Sequence, residues 1–366
     1  GLGDVYKRQP RHNRRNPKLR TTPKSERLQV MNKANSILLK TMLPVIIGAG
    51  VVVWLFCREF SVEQWESIPW TMRTFAALLL ALLCVTGREW GMMWRFRSLT
   101  DRALSWRQSL KVTMQCEFTS AITPTTAGGS ALSMVFLQRQ GIKLGRATII
   151  TMIVLMLDEL FLVVACPIIF LLFPGGEIFG FDPGAFSTGV RVAFWIVYGG
   201  VCAVTLFLFM GAFIFPRNIA RFLSRLFSLR LLRRWQSNVV ELGETMVSAG
   251  ADLRTRSFSW WAEAMGATAL TWISRYLVVN ALFWGFSALA PQGIVFARQF
   301  VVWTLLTISP TPGGSGLSEW LFTNYYGDLI SDASMVLVIA ILWRLLTYYV
   351  YLAVGVIRLP AWLRRK

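Results

Sequence analysis

Histidine is nearly missing: His12 is the only one in 366 residues. One imidazole in a basic terminal stretch excludes a His-dependent triad and a His-ligated metal centre. Cysteine is also scarce. The five (Cys57, Cys84, Cys116, Cys166 and Cys202) lie in or beside apolar runs without C-x-x-C spacing. They read as small apolar residues rather than a disulfide framework. No phosphate-binding G-x-x-x-x-G-K-[ST] loop occurs, and "GGSGL" is not a G-x-S-x-G nucleophile turn. The expectation is a chain with no cofactor, no metal and no enzymatic activity of its own. An intramembrane transferase would have few nucleophiles to work with. Acidic residues are few as well, 19 against 38 Lys and Arg.

What is abundant is apolar. The chain is 54% hydrophobic, with 16 Trp and 25 Phe, and its mean hydropathy is +0.50. Apolar runs of about 20 residues match a hydrocarbon core of about 30 Å. Six spans are predicted, near 42–57, 70–87, 147–173, 191–215, 262–290 and 333–357, in an all-α integral membrane protein. The start carries no pattern of a secretory signal. Residues 1–36 read as a basic disordered tail, in which the stretch before Met31 is given no functional weight. Residues 37–357 form the transmembrane domain, and 358–366 a basic C-terminus.

The net charge of +19 is distributed in a way that argues against nucleic acid. Of the 38 basic residues, 32 fall in 7–40, 88–111, 139–146, 217–256 and 358–366. The loops 58–69, 174–190 and 323–332 hold one basic residue against seven acids. This asymmetry predicts a cytoplasmic membrane protein with both termini in the cytoplasm and anionic lipid beside its basic face. Within the loop 216–260, Arg217, Arg221 and Arg225 recur every four residues, as in an in-plane amphipathic helix.

Two stretches repeat a Pro/Gly-rich pattern: "ITPTTAGGSALSMVF" (122–136) and "ISPTPGGSGLSEWLF" (308–322). They lie about 185 residues apart, half the chain, which suggests internal duplication. Both flanks of 113–138 are basic, so that segment is expected to enter and return on the cytoplasmic side. Segment 298–322 is expected to do so from the outer side. About 12 helical residues reach roughly 18 Å, near the bilayer midplane. Each half then reads span, span, re-entrant hairpin, span, over about 37–173 and 191–357. Three crossings per half turn the second half upside down, an inverted-topology repeat of the kind transporters use.

The motifs supply candidate site residues. Pro124, Pro310 and Pro312 interrupt incoming helices. Gly128, Gly129, Gly313 and Gly314 permit close backbone approach. Ser130 and Ser315 sit where a new half-helix would begin, as N-caps. Free N–H groups at such a start suit a phosphate or carboxylate. Charges inside spans add Asp158, Glu159, Arg275 and Arg344, with Arg88 at a span end and Glu117 and Glu319 on the hairpins. Asp158–Arg344 or Glu159–Arg344 pairing would neutralise buried charge; direct headgroup binding is the competing role. Arg88 is expected to extend toward the cytoplasmic interface. Glu319 is expected to complement a helix start or to carry a proton.

On these residues the chain resembles the flippase-like transmembrane region of lysylphosphatidylglycerol synthases. That family's second motif, Pro–Gly–Gly–x–Gly–x–x–Glu, is matched by Pro312, Gly313, Gly314, Gly316 and Glu319. The first, Thr–Pro–x–x–x–Gly–Gly, is matched by Thr123, Pro124, Gly128 and Gly129. The resemblance implies movement of a phospholipid or lipid-linked headgroup between leaflets. The sequence shows no soluble aminoacyl-transferase domain after the membrane region, so lysyl transfer is not expected. Membrane lipids, including isoprenoid-linked glycans, are the expected partners. The alternatives are a non-transporting partner of a cell-envelope enzyme and a small-solute transporter.

Overall fold

The computed structural model describes residues 70–123, 129, 132–180, 184–214, 221, 225, 251, 253–287, 290–311, 313–330 and 333–364. The expected span 42–57, the tail 1–36, most of the loop 216–260, and Pro124, Gly128, Ser130 and Pro312 lie outside them. Among the described residues every regular element is helical. In chain order these are α1 (Met72–Leu99), α2 (Trp106–Ile122), α3 (Ser133–Arg139), α4 (Leu144–Leu172) and α5 (Gly175–Phe179). They continue as α6 (Ala185–Phe209), α7 (Phe258–Phe286), α8 (Gln292–Leu306), α9 (Leu317–Tyr326), α10 (Ala333–Arg344) and α11 (Val350–Arg364).

Among the described residues, four stretches are long and apolar enough to cross a membrane: Met72–Leu99, Leu144–Leu172, Phe186–Phe209 and Met335–Gly355. The last runs from α10 into α11 through a π-helical segment, Leu345–Tyr349. α7 has the length, 29 residues, but Glu263, Arg275 and several hydroxyls make it less apolar. It is a central helix, with Thr268, Thr271 and Ser274 buried, so protein rather than lipid surrounds much of it.

α1 outruns its expected end at 87 by a further 12 residues. Thr71 and Thr74 hydrogen-bond reciprocally at its start, and Thr100 closes its end through the Phe96 carbonyl. It packs along α7 through small residues. A Cβ on Gly87 would stand 2.9 Å from the Ser274 hydroxyl, and one on Gly91 2.9 Å from the Ala267 carbonyl oxygen. The sequence there is "GREWG", a small-x-x-x-small seam that brings two helix backbones together. Arg88 and Glu89 lie between its glycines.

Pro167 lies inside α4 and lacks the N–H that would reach Val163 four residues back. The Tyr198 hydroxyl on α6 donates to that carbonyl instead, at 3.0 Å. Two polar clamps close the ends of the bundle. Asp101, in the α1–α2 turn at φ +52°, accepts from Arg146 (2.5 Å), Arg256 (2.9 Å) and Trp260 (3.1 Å). Burial pushes the Asp101 carboxyl up, but the Arg256 and Arg146 hydrogen bonds outweigh it and hold the group below its ordinary range. At the other end, the guanidinium of Arg298, fully buried, donates to the Glu177 carbonyl (2.8 Å), the Tyr325 carbonyl (2.5 Å) and Asp328 (2.7 Å). It thereby ties α5, α8 and the end of α9 together.

Candidate functional site

The two Pro/Gly stretches meet. α2 ends at Ile122, and α3 resumes at Ser133; α8 ends at Leu306, and α9 resumes at Leu317. Between these breaks the Gly313 N–H donates to the Thr123 carbonyl at 3.2 Å. The Tyr348 hydroxyl, from the π-helical segment, donates to the Ala121 carbonyl at 3.2 Å. A Cβ on Gly313, at φ +57°, would overlap the same Tyr348 ring. One tyrosine thus packs on both motifs, and only glycine fits beside it. Gly129 is equally tight, since a Cβ there would collide with the Cys116 carbonyl and the Ser120 hydroxyl.

Gly316 (φ +82°) precedes α9, and the Glu319 carboxylate accepts from its N–H at 2.7 Å. Glu319 therefore complements the helix start, one of its two expected roles. Ser315 does not cap this helix: its hydroxyl accepts from Arg344 at 3.2 Å. Arg344 also donates to Glu319 at 2.6 Å and to the Gly313 carbonyl at 3.1 Å. Its guanidinium lies 4.0 Å from the Tyr348 ring centroid. The second break is held from both sides by one buried arginine.

Beside this junction is a cavity of about 110 Å³. That is several times the space one water needs. Of the residues expected at the site, Arg88, Glu117, Asp158, Glu159, Arg275 and Arg344 supply its charged lining, and Gly313 touches it. Thr123, Gly129, Pro310, Gly314, Gly316 and Glu319 lie outside the lining; Glu319 reaches it only through Arg344.

The pairing differs from both expected schemes. Asp158, the central residue of α4, pairs with Arg95 and accepts from the Trp272 indole at 2.7 Å. Arg344 pairs with Glu319. Neither Asp158 nor Glu159 touches Arg344, because α1 and the second break supply nearer partners. Arg88 does not extend to the interface. It is 1% exposed, pairs with Glu117, and stacks 4.8 Å from the Tyr351 ring centroid. Glu89 stands 3.8 Å behind Arg88 and accepts from the Tyr351 hydroxyl at 2.6 Å. The continuation of α1 carries Arg88 and Arg95 inward, where chain position alone had suggested a cytoplasmic loop.

Arg275 is bound more loosely. It reaches the same Glu117 at 3.4 Å and lies between two indoles, 4.9 Å from Trp272 and 4.7 Å from Trp303. Sequence reasoning missed Arg95, Trp272, Trp303, Tyr348 and Tyr351. The helical period carried a signal for most of them. Arg95 follows Arg88 by seven residues, while Tyr348 and Tyr351 follow Arg344 by four and seven, each on one helical face. Groups of His, Cys, Asp and Glu able to hold a metal do not occur among the described residues.

The comparisons with known proteins point to a membrane-protein family. The family described as Lysylphosphatidylglycerol synthase TM region matches residues 41–355. A UPF0104 membrane protein of Archaeoglobus fulgidus is 23% identical over 333 residues, covering 86% of this chain and 95% of the relative. No solved structure matches. With its multi-pass helical body and both motifs inside the matched range, the chain belongs to the lysylphosphatidylglycerol synthase transmembrane-region family.

Proposed function

We propose that this protein moves a phospholipid, or a lipid-linked headgroup, between the leaflets of the cytoplasmic membrane. The observation that carries this reading is the direct contact of the two broken segments beside a charged cavity. Charge inside a lipid-embedded bundle is costly and usually marks the path of a polar cargo. Here four arginines line one small space, and a phosphate is the group that such a lining favours. α2–α3 and α8–α9 serve as re-entrant hairpins from opposite faces, within six crossings arranged as an inverted repeat. The termini face the cytoplasm, following the distribution of Lys and Arg. Arg88, Arg275 and Arg344 attract the phosphate, while Glu117, Asp158 and Glu319 hold those arginines and their neighbour Arg95 in place.

The test is leaflet exchange in proteoliposomes, with fluorescent lipids labelled on the acyl chain and the outer leaflet quenched chemically. Leu155→Trp, which fills part of the cavity, slows exchange about tenfold, as an added barrier of about 1.4 kcal/mol implies, in a variant that melting in detergent shows to be folded. If the wild-type protein moves no lipid across anionic and zwitterionic species, lipid translocation is the wrong function.

A further inference from the structure

The cavity's charges are not all used up by one another. Arg88 takes Glu117, Arg95 takes Asp158, and Arg344 takes Glu319. Two lining residues of opposite sign are left. Arg275 has only the far oxygen of Glu117, at 3.4 Å, and two indole faces; its Nε has no hydrogen-bond partner. Glu159, which lines the cavity from α4, has no ion pair or hydrogen bond among the described residues. No salt bridge joins Arg275 to Glu159, although both border the same space. A cation and an anion that line one cavity without pairing with each other present complementary charges to a ligand that carries both signs.

We infer that the cavity selects a zwitterionic phospholipid headgroup, with its phosphate at Arg275 and its ammonium at Glu159. This rests on the lipid-translocation reading and narrows it to a substrate class. A headgroup with phosphate alone leaves Glu159 uncompensated in a poorly hydrated space. A headgroup of purely positive charge leaves Arg275 in the same position. One phosphate and one ammonium satisfy both residues, and the net charge brought in is zero. The indoles of Trp272 and Trp303 keep the Arg275 guanidinium in place by stacking, which leaves its N–H edge for the ligand.

The experiment compares acyl-labelled phosphatidylethanolamine with acyl-labelled phosphatidylglycerol in the same proteoliposomes. The full-length wild-type protein is expected to move the ethanolamine lipid at least about tenfold faster, as loss of a charge partner in a desolvated site implies. Glu159→Gln removes that preference, Glu159→Asp keeps part of it, and Arg275→Gln slows both lipids. Melting in detergent checks that each variant is folded, and Glu159→Asp serves where Glu159→Gln is not. Equal wild-type rates, or a preference that survives in folded Glu159→Gln, overturn the zwitterion site while leaving lipid translocation standing. Movement of neither lipid overturns both. Uptake of soluble glycerophosphoethanolamine without lipid exchange places the same chemistry on a free solute and overturns the lipid assignment.

Discussion

Arg95 is the residue on which reading by sequence and by structure diverge most. In the sequence it belongs to a run of basic residues between apolar stretches, and charge asymmetry assigns such runs to the cytoplasm. In the structure it is 1% exposed and pairs with Asp158. The carboxylates were legible because an acid in the middle of "VLMLDELFLVV" has no bland explanation. The arginine was not, because a helix end is set by packing against α7 and not by the local string. Breaking a buried pair from one side leaves an unsolvated charge, which costs about 3–5 kcal/mol, more than the pair itself contributes. Arg95→Met is therefore expected to lower the melting temperature in detergent sharply. Arg95→Met with Asp158→Asn should recover much of the loss, since Trp272 still donates to residue 158. A silent Arg95→Met would show that Asp158 is held by other groups.

At the level of elements, the apolar runs located the helices well but not their lengths or their company. α4, α6 and the α10–α11 stretch fall where hydropathy puts them. α7 was legible as a long apolar run, yet its central place follows from small residues facing α1, which hydropathy does not weigh. The breaks were legible as Pro/Gly punctuation, whereas their mutual contact depends on Tyr348, which no local pattern marks. The α1–α7 seam can be tested by one methyl group. In Gly91→Ala the added Cβ meets the Thr271 hydroxyl at 2.6 Å and the Ala267 carbonyl at 2.9 Å, so a backbone must shift. Overpacking of this kind costs about 1–3 kcal/mol. Gly266→Ala, on α7 with no atom within 4 Å of the new Cβ, should leave stability unchanged or slightly raise it through helix propensity. Equal effects of the two substitutions on the melting temperature would mean that the seam does not hold the helices together.

For the whole molecule, the two similar motifs are in direct contact through the hydrogen bond from the Gly313 N–H to the Thr123 carbonyl. The halves are not equivalent around it. Arg344 anchors the second break directly, through Glu319, Ser315 and the Gly313 carbonyl. Asp158, which follows Gly129 by 29 residues as Arg344 follows Gly314 by 30, is engaged by α1 and α7 instead. In the proposed inverted repeat, two breaks secured differently can loosen one at a time, as alternating access requires. The topology behind this reading has a direct check by single cysteines in a chain whose five native cysteines are replaced. Ala103→Cys and Gln138→Cys lie at exposed positions on either side of the α2–α3 break. A membrane-impermeant thiol reagent is expected to reach both from the cytoplasmic face only, and Gly176→Cys in α5 from the outer face only. Labelling of positions 103 and 138 from opposite faces would make α2–α3 a full crossing, and the second half would then no longer be inverted relative to the first. The contact between the two breaks would remain, but it would join segments entering from the same face, and alternate loosening of the two would lose its basis.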